Sequence, residues 1–139
     1  MIEKEVIDNF LPIFELKQIQ NIFLTGTRLW SYNVQGYKDG IPQERAQFVH
    51  TLWDPISGVV TPYGEIGTLF IEKLNPTVLL RIKANLQVKD SKIHEDPLHV
   101  DFDNIEATTS IFYVNTCNGY TYFEDGSRVN SVENRLVTF

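Results

Sequence analysis

Residues 77–90 read TVLLRIKANLQVKD, and the alternation in them decides how the chain is built. Leu80, Ile82, Ala84, Leu86 and Val88 fall on one side, and Arg81, Lys83, Asn85 and Gln87 on the other. Successive side chains of a strand point to opposite faces, so this pattern predicts a β-strand with one buried face and one wet face. Further short runs of the same character follow: LHVDF (98–102), TTSIFYVNT (108–116), YTYFEDGSRV (120–129) and NRLVTF (134–139). Asp125-Gly126 between apolar flanks predicts a hairpin turn, because glycine reaches the positive φ that such turns demand.

Upstream of Pro76 the pattern is mixed. EVIDNFL (5–11) reads as a short strand. In PIFELKQIQNIFLTG (12–26), Ile13, Leu16, Ile19 and Phe23 recur at helical spacing, with Pro12 suited to the first turn and Gly26 to the exit. RLWSYNV (28–34) and QFVHTLWD (47–54) read as strands. YGEIGTLFIEKLN (63–75) reads as a helix with Ile66, Leu69, Phe70 and Leu74 on one face, stopped by Asn75-Pro76. The expectation is a mainly β (α+β) domain over residues 1–139, with a helix-rich flank at 1–76 and a string of strands at 77–139. Short strands with tight turns point to an antiparallel sandwich or barrel with the helices packed outside.

At 139 residues the chain is long enough to bury a core, and 42% of it is hydrophobic. The net charge of −6 and the lack of a basic run argue against nucleic acid or an anionic membrane as partner. A single cysteine, Cys117, forms no internal disulfide, which suits a reducing, cytoplasmic setting. No apolar run is long enough for a membrane span.

The candidate chemistry lies in IHEDPLHVDFD, residues 93–103. It holds two of the three histidines, each in an H-x-D triplet: His94 with Asp96, and His99 with Asp101. On a strand, residues one pleat apart face the same side, so H-x-D aims an imidazole and a carboxylate into one space. Two such ligands are two-thirds of the facial triad of non-haem iron(II) enzymes. His94 and Asp96 sit among charges before Pro97 and read as a solvated loop, whereas His99 and Asp101 flank Val100 as a two-faced strand would. His50, in QFVHTLWD, reads as a hydrogen-bonded histidine.

From Leu80 onward the sequence resembles the 2-oxoglutarate/iron(II)-dependent oxygenases of the prolyl 4-hydroxylase-like group. RIKANL, LHVDF and TSIFYVNTCNGYTYFEDGSRVNSVENRLVTF carry the likeness, with Gly119, Thr121 and Phe123 matching the Gly-x-Thr-x-Phe element. The resemblance implies a double-stranded β-helix (jelly roll) with Fe(II) in its mouth, held by His99 and Asp101. It implies 2-oxoglutarate as co-substrate, with Asn85 and Gln87 on the strand face that contacts it; Gln87 stands where such enzymes often have tyrosine. It also implies hydroxylation of a C–H bond in a small molecule or peptide, such as a peptidyl proline. His94 and Asp96 would then lie in the loop entering the site. The family's second histidine, and the basic residue that pairs with 2-oxoglutarate, come after the strand matched by NRLVTF. Neither falls within these residues, and Arg128 and Arg135 precede that place. The expectation is therefore a fragment lacking its last core strands, weak or inactive alone, and a homo-oligomer through exposed sheet edges. Two other readings are a non-catalytic jelly-roll binding or structural domain, and a sugar- or ligand-binding sandwich stacking its ligand on Trp30, Tyr32, Tyr37 and Trp53.

Overall fold

The computed structural model describes residues 3–26, 30–34, 46–59 and 61–139. In chain order the elements are β1 (Glu5–Ile7), α1 (Ile13–Thr25), β2 (Ser31–Val34), β3 (Ala46–Asp54), β4 (Gly58–Val59), α2 (Gly64–Leu74), β5 (Ile82–Leu86), β6 (Ser110–Tyr113), β7 (Tyr120–Tyr122), β8 (Arg128–Asn130) and β9 (Arg135–Thr138). The described residues are thus mainly β with two helices, and every strand pairing is antiparallel. Two compact units form, one from residues 1–26 and 90–139, the other from 27–89. The change of character at Pro76 is no boundary between them, since β5 beyond it pairs with β3 before it.

In the first unit β9 is the central strand of a sheet ordered β1-β9-β6. Val137 lies opposite Val6 on one side and Ile111 on the other, and Leu136 lies opposite Ile7 and Phe112. Both faces of β9 are covered, as the burial of consecutive residues Leu136 and Val137 requires. On the Val137 face, Ile111, Tyr113 and Phe139 meet Phe123 and Val129 of the β7–β8 hairpin. Phe123 and Phe139 touch edge to face, their centroids 5.0 Å apart. On the other face Phe10 approaches Phe112 at 6.3 Å. The hairpin turns as expected: Gly126 takes φ +79°, its N–H donates to the Phe123 carbonyl, and the Asp125 carboxylate accepts from the Ser127 N–H.

α1 buries Leu16, Ile19 and Phe23, while Ile13, at its first position, is exposed. Pro12 stands just before the helix, where its missing N–H leaves nothing unsatisfied. Gln20 anchors the helix by donating to the Val114 carbonyl at 3.0 Å and the Glu133 carboxylate at 2.9 Å. The approach to α1 is tied down by Asn134. Its Oδ1 accepts from the Leu11 N–H and its Nδ2 donates to the Leu11 carbonyl, both at 2.8 Å and both buried. Arg135 grips the Asp8 carboxylate through Nε at 2.6 Å and Nη2 at 3.0 Å. That contact, opposed by slight desolvation, holds the Asp8 carboxyl below its usual range. Its stabilisation is present above the unfolded carboxyl's pKa and fades as acid protonates the group, and it is modest because the pair is exposed.

In the second unit β3 is the hub. Phe48 and Val49 pair with β2 on one edge and β5 on the other, and β3 carries a register shift between Thr51 and Trp53. Asp54 Oδ1 accepts from the Ile56 and Ser57 N–H groups, each at 2.9 Å, shaping the turn into β4. α2 turns Ile66 and Gly67 inward, so close to the sheet that a methyl on Gly67 would touch Ile82 at 3.5 Å. It stops at Asn75, in the left-handed region with φ 45°. Leu74 at its end is exposed.

The strand expected over LHVDF does not form. Residues 87–109 contain no strand at all, with a bend at Asp101-Phe102 and a left-handed Asn104. Alternation specifies a strand only where a neighbouring backbone offers a ladder and a core covers the apolar face. Here neither is supplied, and Leu98 and Val100 are 55% and 70% exposed. The strand expected over 28–34 is seen as Ser31–Val34; Arg28, Leu29 and Tyr37 lie outside the described residues.

Asn134→Ala is expected to destabilise the protein by about 2–4 kcal/mol, because two buried Leu11 groups lose their partners and alanine must adopt positive φ. Asn134→Gly removes the same bonds without the φ penalty, so it should lie about 1 kcal/mol above the alanine variant in urea denaturation.

Candidate metal-binding segment

Residues 93–101 have no ladder of their own, and the β7–β8 hairpin holds part of them by side chains. Tyr120 and Tyr122 are one pleat apart on β7, and Arg128 lies opposite Tyr122 on β8, so the three share a face. The Tyr120 hydroxyl donates to the Glu95 carboxylate, and the Tyr122 hydroxyl donates to the Asp96 carbonyl at 3.0 Å. Arg128 Nη2 stands 3.4 Å from Glu95 Oε1, with the guanidinium 4.5 Å from the centre of the Tyr120 ring. Acceptance of this hydroxyl by the Glu95 carboxylate, helped by desolvation, raises the Tyr120 phenol above its usual value.

Beyond this clamp the chain passes Pro97 and presents the second H-x-D. His99 Nδ1 is 3.1 Å from the Pro97 carbonyl. A carbonyl only accepts, so Nδ1 carries the proton, and in the neutral ring Nε2 holds the free lone pair. Histidine ligands are oriented in this way, by a hydrogen bond from the other ring nitrogen. Nε2 faces Asp101 Oδ1 at 3.9 Å, with the side chains half-exposed and one-third exposed respectively. The pair therefore lies together although the segment is not a strand.

The first H-x-D is different. His94 Nε2 is 2.8 Å from Asp90 Oδ2, and the Asp90 carboxyl is held below its usual range, first by the Ser91 N–H and then by His94. His94 and Asp96 are thus engaged separately, by Asp90 and through the Asp96 carbonyl by Tyr122. His50 bonds Thr61 Oγ1 at 2.8 Å within the second unit. Asn85 is an exposed residue of β5 opposite Val49, and Gln87 is exposed just past that strand. Among the described residues no three His, Cys, Asp or Glu side chains gather to hold a metal, so His99 and Asp101 stand as a pair. Of the aromatics proposed to stack a sugar, Tyr32 is 60% exposed and meets Phe48 at 5.5 Å, while Trp30 and Trp53 are half-buried. Tyr113 is a packing residue whose hydroxyl meets Thr121 Oγ1 at 2.7 Å; burial, more than that bond, sets its phenol, and raises it.

The Tyr120–Tyr122–Arg128 clamp was not evident from sequence alone. The signal for it was a Tyr-x-Tyr on one arm of a hairpin with arginine across from the second tyrosine.

Neither a protein-family model, nor a curated protein, nor a solved structure matches the chain. Among the described residues no helix is long and apolar enough to cross a membrane.

Tyr120→Phe should speed proteolytic cleavage at Lys89 and Lys92 several-fold at neutral pH, since Glu95 loses its donor. In the wild type the same loosening should appear as pH rises through the elevated phenol pKa, because the neutral phenol is the donor and the phenolate repels Glu95. A pulse of Lys-specific protease across the alkaline range checks both; equal rates for the two proteins throughout would remove the clamp.

Proposed function

We propose that this chain is the metal-binding part of a non-haem iron(II)/2-oxoglutarate-dependent oxygenase that hydroxylates a C–H bond. The observation that carries the reading is the His99–Asp101 pair, with Nδ1 committed to Pro97 and Nε2 facing the carboxylate. Metal–nitrogen and metal–oxygen bonds of about 2.1 Å place cis ligand atoms about 3 Å apart, so the pair must close by about 1 Å. The donor set, one imidazole and one carboxylate, suits Fe(II) and two corners of the facial triad.

The mainly β architecture is compatible with a jelly roll. In that reading the β1-β9-β6 sheet and the β7–β8 hairpin, joined across Phe123, Val129 and Val137, are parts of its two facing layers. Bound iron(II), with 2-oxoglutarate and dioxygen, would supply the oxidising power for hydroxylation. The chain's own part is to hold the metal through His99 and Asp101 and to keep the imidazole tautomer fixed through Pro97. By resemblance the substrate class is a small molecule or a peptide, with peptidyl proline the first to try.

Anaerobic Fe(II) titration should show affinity about tenfold or more higher for the wild type than for His99→Ala or Asp101→Ala, since loss of even an outer-sphere partner has an effect of that size. Equal affinity for wild type and His99→Ala would remove the oxygenase reading. Metal binding with no succinate formed from 2-oxoglutarate, even with peptide and small-molecule substrates present, would instead favour the non-catalytic binding domain.

A further inference from the structure

Asn118 is the one asparagine of the chain that glycine follows, in TCNGY, residues 116–120. An asparagine amide carbon lies one five-membered ring away from the next backbone nitrogen, and glycine has no side chain to obstruct the closure. What holds that nitrogen therefore decides whether the ring forms. The β7–β8 ladder pairs Tyr120 with Asn130, so its next step sets Gly119 opposite Ser131. Half of that pair is made, because the Ser131 N–H donates to the Gly119 carbonyl at 3.0 Å. The Ser131 carbonyl, however, accepts from the Cys117 N–H at 3.3 Å. Cys117 and Gly119 thus share one partner, and the exposed Asn118 bulges out between them. Displaced from the ladder, the Gly119 N–H donates to Cys117 Sγ at 3.3 Å, and a thiol sulfur is a weak acceptor.

The hairpin turn offers a comparison. Asp125-Gly126 has the same ring within reach, yet the Gly126 N–H is committed to the Phe123 carbonyl at 2.9 Å. The Asp125 carboxylate is held by Lys4 and then by Ser127, which keep it ionised far below the usual range. An ionised carboxylate is a poor electrophile. Asp39-Gly40 lies outside the described residues.

We infer that Asn118-Gly119 is a site of spontaneous covalent modification, where the folded chain deamidates to aspartate and isoaspartate while Asp125-Gly126 is spared. The Gly119 nitrogen gives its proton to hydroxide and attacks Asn118 Cγ. A C–N bond forms, the Cγ–Nδ2 bond breaks, and ammonia leaves after taking up a proton from water, which closes a succinimide. One water then opens the ring. Attack at Cγ gives aspartate with the main chain unchanged, and attack at the Asn118 main-chain carbonyl gives isoaspartate, with the chain running through Cβ and Cγ. No oxidant or reductant takes part. Either product adds a negative charge to the bulge. Isoaspartate also adds one methylene to the main chain between Cys117 and Gly119, which misaligns their two bonds to Ser131. That extra atom comes two residues before Tyr120, at the start of the strand that holds Glu95.

The test is incubation of the full chain in mildly alkaline buffer, folded and in urea, with peptide mass mapping of every asparagine and of Asp125. An isoaspartyl methyltransferase labels the iso product. Asn118 should convert ahead of every other asparagine, and in the folded chain at a rate within about tenfold of that in urea, because no opening of structure must come first. Asp125 should isomerise in urea and stay intact in the folded chain. Gly119→Ala should slow the conversion several-fold in both conditions; its methyl would stand 3.3 Å from the exposed Cys117 Sγ, and the urea arm reads the effect whether or not the variant folds. Asn118 left intact in the folded chain while it converts in urea would overturn the inference. So would folded Asp125 isomerising as fast as Asn118 converts, or an unchanged rate in Gly119→Ala.

Discussion

Strand β9 is bonded along both edges and packed on both faces, and the first unit is organised by that constraint. Its neighbours, β1 and β6, come from the two sequence pieces that make up the unit. Leu136 and Val137 point to opposite faces and are the most buried apolar residues there, together with Leu16 and Ile19 of α1. Asn134 and Arg135, at the entry to β9, reach back to Leu11 and Asp8. Register, burial and polar satisfaction thus coincide on a few consecutive residues, the consistency that gives a sequence one structure.

The hairpin built on this sheet has a second task. One side of it supplies Phe123 and Val129 to the core, and its polar tips, Tyr120, Tyr122 and Arg128, hold Glu95 and Asp96. The irregular segment is fixed just before His99 by groups that are themselves fixed by the core. That is the route by which a buried apolar cluster sets the position of an exposed imidazole.

The regular elements were legible where local chemistry and tertiary surroundings agree. The 3.6-residue spacing of Leu16, Ile19 and Phe23 gave α1, Asp125-Gly126 gave the hairpin turn, and the alternation at 82–86 gave β5. Asn75 ended α2 as its αL tolerance allows. LHVDF misled because its alternation is genuine but, among the described residues, no ladder accompanies it and Leu98 and Val100 stay exposed; the information needed to place it is not local. The nearness of His99 and Asp101 was foreseen from strand geometry, yet it arises from a bent, irregular backbone and a Pro97 carbonyl that no pattern announces. The Glu95 clamp joins positions 25 residues apart and depended on knowing which hairpin face looks outward.

The interleaving of the two units has a bearing on how the chain acquires its structure. Residues 27–89 form a contiguous block, whereas the first unit is split around them, and its β1–β9 ladder joins Glu5 to Thr138. Loop closure over that separation is slow and entropically expensive. During synthesis the inserted block can order as soon as it emerges, while β1 and α1 wait, their apolar faces uncovered, until residues 135–138 have been translated. β1 and α1 therefore need shelter from other nascent chains for longer than the inserted block does.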